Sequence, residues 1–274
     1  MRYDDSIPSA ALPDYDRMAA DFDLFLPHVH PVAGAVLEHL PTLSEGASVL
    51  DVACGTGEPG LTLARRSPGM RLLGIDTATG MIEVARVKAA REHLPNVHFE
   101  VMPAETLACA DGSMDAVISR FGLMLFGDLP ASARELARVL RAGGHFSMAV
   151  WDDITKAALV YTGLKALRGR LPTELVPPFE GMCDLAAEAQ GLLHEAGLSS
   201  VQSQMFHWTM EFPSLHVLWQ LVSGPGLFTR QFAALDEESK EQVRSEVAAA
   251  LATYRQDNGQ YHIPHACRLL WGRR

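Results

Sequence analysis

Cysteine is scarce in this chain: Cys54, Cys109, Cys183 and Cys267 are the four in 274 residues, and none forms a C-x-x-C pair. That spacing excludes a disulfide framework and a zinc ribbon and reads as thiols of a reducing compartment. Positive charge is also in short supply. Lys and Arg number 23 against 33 Asp and Glu, for a net charge of −10, and the densest basic spots are Arg168, Arg170 and Arg273-Arg274. A phosphate backbone is therefore excluded as the main partner, so no nucleic acid is expected. No apolar run reaches the ~20 residues of a membrane span, and Met1-Arg2-Tyr3-Asp4-Asp5 lacks the pattern of a secretory signal. The expectation is a cytoplasmic protein that does not engage a membrane. Internal repeats and low-complexity tracts are absent as well, and 48% apolar with 20% charged residues is the balance of an ordinary globular chain.

What is present begins at residues 48–60, Ser-Val-Leu-Asp-Val-Ala-Cys-Gly-Thr-Gly-Glu-Pro-Gly. Val49, Leu50 and Val52 form a short β-prone run, Gly55, Gly57 and Gly60 punctuate a turn, and Leu61-Thr62-Leu63-Ala64 opens a helical pattern. Pro59 suits the first turn of that helix, where a backbone N–H has no intrahelical partner. Strand, glycine turn and helix make the first βα unit of a nucleotide-type α/β fold, whose ligand lies beyond the strand's carboxyl end. The glycines also match G-x-G-x-x-G, which alone is a weak signal. Asp51 discriminates. A carboxylate four residues before Gly55 repels a dinucleotide pyrophosphate and favours a ligand with a cationic head. S-adenosylmethionine (SAM), with a sulfonium, an ammonium and no phosphate, is such a ligand.

Further along, Arg71-Leu72-Leu73-Gly74-Ile75-Asp76 reads as the second strand, ending in a carboxylate placed to accept both hydroxyls of a ribose. Thr77 or Thr79 starts the next helix, with Met81 facing the ligand or the core. Val97–Val101 is the third strand and 116–119 the fourth, followed by the apolar tract Arg120-Phe121-Gly122-Leu123-Met124-Leu125-Phe126. Residues 130–140 read as a helix ended by Gly143-Gly144, and 145–150 as the fifth strand, finishing at Trp151.

The run hydrophobic-hydrophobic-Asp-hydrophobic-x-x-Gly-x-Gly at 49–57, with Asp76 behind it, resembles the class I SAM-dependent methyltransferases. From Asp115 to Trp151 the chain is similar to the small-molecule members of the ubiquinone/menaquinone-biosynthesis type. The resemblance covers residues 45–151. It implies a Rossmann-like α/β fold: a seven-stranded sheet, mostly parallel with the last strand antiparallel, flanked by helices. It further implies SAM as cofactor, held by Tyr15, Asp51, Ala53, Gly55, Thr56, Gly57, Asp76, Thr77, Met81, Ala104, Glu105, Ser119 and Arg120. One position departs from the family. Its adenine-binding Asp is replaced by Pro103, which has neither a side-chain acceptor nor an N–H, so adenine falls to Glu105, to backbone around Ala104 or to apolar packing. The Asn/Asp-Pro-Pro-aromatic motif of enzymes that methylate nucleobases or glutamine is also missing after strand four, and an apolar tract there suits a small apolar or aromatic acceptor, with Phe22, Phe121, Phe126 and Trp151 as its candidate contacts.

The remaining segments are expected to make the substrate side of this single domain of 1–274. Asp14 caps a helix with Tyr15, Met18, Ala19, Phe22 and Leu26 on one face, Pro27-His28-Val29-His30-Pro31 breaks it, and a second helix follows; together 14–40 form a lid. Residues 153–184 read as helical with a break at Pro177-Pro178, and Asp184 opens a helix ended by Gly197. Strand six, 201–212, puts Phe206, Trp208, Met210 and Phe212 on one face. The segment 213–259, interrupted at Gly224-Pro225-Gly226, carries helical apolar spacings and is too long for a bare loop. With 153–184, residues 213–258 are expected to form an inserted helical cap, and 261–271 to be the closing strand.

Methyl transfer is an in-line displacement on an activated cofactor, so alignment and water exclusion suffice, with a base only where the acceptor must lose a proton. Among eleven histidines, His262, His28 and His30 are the candidate bases; H-x-H and H-x-x-H lack partners at metal-ligand spacing, so no metal is expected. Two alternatives stand beside methyl transfer: a SAM-fold protein that cyclises or only binds its ligand, and a nicotinamide-dependent oxidoreductase, which Asp51 disfavours.

Overall fold

The computed structural model describes residues 13–175, 185–223 and 228–274. The expected breaks at Pro177-Pro178 and Gly224-Pro225-Gly226, the expected cap Asp184, and Cys183 lie outside them. Strands Ser48–Val52 (β1), Arg71–Asp76 (β2), Val97–Val101 (β3), Met114–Arg120 (β4), Leu140–Val150 (β5), Ser199–Phe212 (β6) and Tyr261–Arg273 (β7) form one sheet in the order β3-β2-β1-β4-β5-β7-β6. β1 pairs in parallel with β2 and β4, β2 with β3, and β4 with β5, while β7 runs antiparallel to β5. The chain leaves β1 toward β2 on one side and returns to β4 on the other. A crevice therefore opens beyond the carboxyl ends of β1 and β4, where such folds bind ligands.

The residues divide into two compact units. In the first to be described, His30–Trp151, Asp184–Phe206 and Arg268–Arg274, the core is the sheet and its flanking helices Gly60–Arg66 (α3), Thr79–Arg91 (α4), Leu129–Val139 (α5) and Leu185–Glu195 (α7). β1 and β4 are buried on both faces, with Val49, Leu50, Ala116, Val117 and Ile118 at zero exposure, as their unbroken apolar runs require. Near the amino ends of these strands Asp115 ties the elements together: its carboxylate accepts the Ser48 N–H at 2.8 Å and the Arg141 Nε–H at 2.6 Å.

The second unit gathers the described parts of 1–29, 152–183 and 207–267. Helix Ala158–Leu167 (α6) packs on Glu237–Leu251 (α10), which buries Val243, Val247 and Leu251 and is stitched to the segment after α6 by an Arg170–Glu246 ion pair at 2.5 Å. Leu215–Ser223 (α8) and Thr229–Ala233 (α9) meet through an edge-on Trp219–Phe232 contact. Gly163 is set against the Phe228 ring so closely that a Cβ there would lie 2.7 Å from it. In β6, Trp208, Met210 and Phe212 are buried and the residues between them exposed, the alternation read from sequence.

Three sequence expectations are corrected. The amino-terminal helix is only Tyr15–Met18 (α1), capped by Asp14 through the Arg17 N–H; a 3₁₀ turn at Phe22–Leu24 follows, and Leu26–Glu38 (α2) then runs straight through the proline segment expected to break it. Pro27 falls in the first turn, where no N–H is needed, and burial of Val29, Val32 and Val36 outweighs the one bond that Pro31 cannot donate. Likewise, α5 ends at Val139 rather than at the glycines, and β5 starts at Leu140. Gly143 and Gly144 lie within β5, where the register with β4 shifts between Met114 and Ala116. The helix of 153–184 is, among described residues, the shorter α6 between 3₁₀ turns at Ile154–Lys156 and Thr173–Leu175.

The Asp115 clamp carries a stability prediction. Replacing Asp115 by Ala leaves the Ser48 N–H without its acceptor, and the expected loss is about 1–2 kcal/mol in urea unfolding with an unchanged m-value. Arg141→Ala, at the exposed end of the same clamp, is expected to cost about 0.5 kcal/mol or less. The opposite ranking would refute the clamp's assigned order.

Candidate functional site: a carboxylate-lined glycine turn and an apolar shelf

At the carboxyl end of β1 the backbone enters the left-handed region at Ala53 (φ 54°) and again at Gly55 and Gly57, and the Cys54 N–H bonds the Ile75 carbonyl at 2.9 Å. Gly57, at φ 101°, also has no room for a side chain, because a Cβ would lie 2.7 Å from Leu61 Cδ1. Asp51 sits beneath this turn with no exposure. Its Oδ2 accepts the Gly60 N–H at 2.9 Å, and a Cβ on Gly60 would come within 2.7 Å of that oxygen. Its Oδ1 is buried and has no hydrogen-bond partner among the described residues. Burial drives the Asp51 carboxyl up to about 8, against the opposing pull of the Gly60 N–H and the Arg120 guanidinium, and Glu58 and Asp76 add like-charge repulsion.

Asp76, at the tip of β2, accepts the Gly55 N–H on Oδ2 at 2.9 Å and the Ala78 N–H on Oδ1 at 3.0 Å. Each ionised oxygen has acceptor capacity for a second donor, so two ribose hydroxyls fit a carboxylate whose orientation the backbone already sets. α4 starts at Thr79, one of the two residues expected to open it, with Ala78 in the cap position and Thr77 exposed. Met81 is 1% exposed, and Ala104 is buried. Thr56 is buried with its hydroxyl 3.5 Å from Lys88 Nζ, and the Ser119 hydroxyl donates to the Val52 carbonyl at 2.8 Å, joining the ends of β4 and β1. Glu105 is engaged by backbone: its Oε1 accepts the N–H groups of Gly127 and Asp128 at 2.7 and 3.3 Å. That bond links the loops after β3 and β4, a role that the sequence did not disclose.

Beyond β4, Phe121 adopts φ 61°, unusual for an aromatic residue. Its N–H bonds the Ala149 carbonyl, and its ring stacks on Trp151 with centroids 4.4 Å apart and planes 6° from parallel. Gly122 follows in a space where a Cβ would lie 2.5 Å from Ala53 Cβ. Phe126 is half-buried after the 3₁₀ turn Leu123–Leu125. The strand ends thus bring Asp51, Ala53, Gly55, Asp76, Ser119, Phe121 and Trp151 to one end of the sheet.

The histidines are not assembled in the expected way. His30 is exposed on α2, and His262 is half-buried on the alternate face of β7 from Tyr261, Ile263 and His265, all of them buried. Within the second unit, His28 stacks on the buried Phe212 at 4.3 Å while its carbonyl accepts the Trp208 indole N–H at 2.9 Å. Trp208 in turn lies 5.4 Å from the His265 ring. His265 Nδ1 faces the Ile263 carbonyl at 3.0 Å, its Nε2 is buried without a partner, and burial, which outweighs the Ile263 bond, lowers it to about 4. Burial lowers His28 as well. His265 was missed as part of this cluster, although period-two counting from Tyr261 and Ile263 places it on the buried face. Tyr15 and Phe22 also belong to this unit, in an edge-on contact at 6.4 Å.

This geometry defines a class: a seven-stranded α/β sheet with a carboxylate-lined glycine turn and a ribose carboxylate one strand away. Residues 49–144 match the family described as a methyltransferase domain, so this segment of the chain is of the class I methyltransferase kind. The chain is similar to the demethylmenaquinone methyltransferase of Thermus thermophilus, 39% identical over 115 residues that cover 41% of this chain and 52% of that protein. It is also similar to methyltransferase GfsG of Streptomyces halstedii, 34% identical over 153 residues covering 56% and 49% of the two chains. The chain thus spans about half the length of the curated relatives it matches. Among solved structures, the YcgJ protein of Bacillus subtilis shares the fold at a TM-score of 0.60 and 21% identity, over 90% of this chain and 99% of that one.

The buried His265 predicts acid sensitivity. With its folded value lowered to about 4, the unfolded chain binds the extra proton first as pH falls from about 6.5. Stability is therefore lost between about pH 6.5 and 4, by about 3 kcal/mol in total from this group. Urea titrations across that range should show the loss in the native chain and a flatter profile in His265→Phe. An unchanged slope in the variant would contradict the assignment.

Proposed function

We propose that this protein transfers the methyl group of SAM to a small, apolar or aromatic metabolite. The observation that carries the reading is the pair of acids at one glycine turn: Asp51, buried with an oxygen lacking a donor, and Asp76, held by two backbone N–H groups. A cationic nucleoside fits that acceptor set, and a pyrophosphate does not. The stacked Phe121 and Trp151, with Phe126 nearby in sequence, support an apolar acceptor.

When bound, the cofactor supplies a methyl group already activated by its sulfonium. Asp76 would hold the ribose hydroxyls, and the turn at Ala53, Gly55, Thr56 and Gly57 would present backbone groups to the amino-acid end, over the favourable field of Asp51. Met81, Ala104 and the second oxygen of Glu105 remain for the adenine in the absence of an Asp at Pro103; Thr77, Ser119 and Arg120 border the same strand ends. Phe121, Phe126 and Trp151 would exclude water beside the cofactor turn. Within the second unit, Phe22 remains a candidate acceptor contact, and His28, with neither ring nitrogen engaged by the described residues, is the best supported proton acceptor of the three candidates. Within this reading, 14–40 is the lid, 45–151 the cofactor core, and 153–184 with 213–258 the cap. Their described parts outside the core mostly gather in one unit.

Incubation of the protein with methyl-labelled SAM and a panel of apolar phenols, enols and amines is expected to move label into an organic-soluble product. Absence of any SAM binding by calorimetry would sink the proposal.

Asp76→Ala is expected to weaken SAM by about 2–3 kcal/mol, because two hydrogen bonds to a charged acceptor are lost. It should also lower the thermal midpoint by a few degrees, since the Gly55 and Ala78 N–H groups lose their acceptor. Full affinity in the folded variant would remove Asp76 from the ribose site.

Asp51 generates a pH-linked test. Raised to about 8, it is mostly protonated at pH 7 in the ligand-free protein, and its contribution to stability is lost as pH rises through that value. A cation bound nearby favours the carboxylate. Binding of SAM at pH 7 is then expected to release up to about one proton, and affinity to rise with pH. Calorimetry in buffers of different ionisation enthalpy measures the release; it should vanish in Asp51→Asn, and it should be smaller with uncharged S-adenosylhomocysteine. Buffer-independent heats in the unaltered protein would refute the linkage.

A further inference from the structure

The second unit contains a cavity of about 540 Å³, within the range that takes small organic ligands. Phe22, Phe25, Val160, Met210, Leu221 and Phe228 represent its walls. None of Phe121, Phe126 and Trp151, the expected acceptor contacts, lines it. Its polar side chains differ in kind. Asp21 and Gln220 are exposed, alongside the exposed Leu24 (61%) and Val217 (38%), so these four mark the mouth. Ser223 is occupied, its hydroxyl donating to the Trp219 carbonyl at 2.8 Å. That leaves His28 as the polar group of the interior.

His28 is built in rather than incidental. Its ring is held flat against the fully packed Phe212, 4.3 Å away and 21° from parallel, and its backbone is pinned by the Trp208 indole. Neither ring nitrogen has a hydrogen-bond partner among the described residues, yet neither is sealed from its surroundings as His265 Nε2 is. An oriented imidazole with no partner among the described residues, on a residue that lines an apolar cavity, can recognise a ligand donor. Burial favours the neutral ring, which has one bare nitrogen lone pair. A neutral acceptor in apolar walls discriminates strongly for a ligand that brings a hydroxyl and against its hydrocarbon analogue, because the latter leaves the nitrogen desolvated and unpaired.

We propose that this cavity is a binding site for a ring-sized apolar molecule carrying one phenolic or enolic hydroxyl, which donates its hydrogen bond to the imidazole of His28. As the acceptor's site it rests on the methyl-transfer reading; as a binding site it stands apart from it, and the experiment separates the two.

The probes are 2-naphthol, naphthalene and 2-methoxynaphthalene, titrated into the full chain by calorimetry, with SAM titrated separately into the same preparation. The native chain should bind 2-naphthol about tenfold more tightly than either analogue that lacks a donor. His28→Phe, which keeps the ring stack, should bring the three probes to within about threefold of one another while naphthalene affinity holds. Val160→Trp should weaken all three by filling the cavity. Equal binding of the three probes by the native chain overturns the proposal, and this arm needs no variant to fold. A preference that survives His28→Phe, or binding unaffected by Val160→Trp, also overturns it. Hydroxyl-selective binding in a chain that fails to bind SAM would leave the cavity's ligand class standing and sink the methyl-transfer reading instead.

Discussion

One buried carboxylate sets the terms for the sheet unit of this protein. Asp51 stands at zero exposure between β2 and β4, one oxygen on the Gly60 N–H and the other without a donor. Burying a charge costs several kcal/mol unless it is compensated, and the protein's response is visible around it. The turn folds back so that Gly60 can approach without a side chain, Arg120 contributes a favourable field, and the carboxyl retains its proton to higher pH. Gly57 and Ala53 take left-handed conformations to complete the return. The glycine spacing is the geometrical consequence of bringing backbone donors to this acid, and Asp76 repeats the device one strand away.

Under the proposed methyl transfer, a protein has little to supply beyond alignment and dryness, and the two units differ in the means each offers for these. The sheet unit holds polar groups in backbone-determined positions: Asp76 on two N–H donors, Ser119 on Val52, Glu105 on the loop at Gly127. The other unit relies on aromatic packing, with His28 on Phe212, Trp208 against His265, and Trp219 edge-on to Phe232. Polar bonds resist displacement along defined directions, whereas apolar walls tolerate changes of ligand shape at modest cost. An acceptor of variable shape would be well served by that separation, and the family match at residues 49–144 lies within the sheet unit.

Where the reading of the sequence went astray, a long-range term overrode a local one. Pro27 and Pro31 signal a break, yet α2 persists because its buried valine face outweighs one missing bond. Gly143-Gly144 signals a helix end, yet the strand pairing of Leu140 with Met114 ends α5 first and draws the glycines into β5. Glu105 was legible only as a spare acid near the adenine position; its bonds to residues 127 and 128 span 22 and 23 positions and have no local trace.

The sequence by itself determined the sheet, the glycine turn and the two acids beside it, because each depends on residues close together along the chain: alternating or unbroken apolar runs for strands, glycines within ten residues of Asp51, an acid at a strand's last position. Only the tertiary structure decided which histidine lines a cavity. His28, Trp208, Phe212 and His265 are separated by up to 237 positions and meet through side-chain packing. Packing partners carry no spacing rule, and the difference between the exposed His30 and the cavity-lining His28 is two residues on one helix, a rotation of about 200° at 3.6 residues per turn.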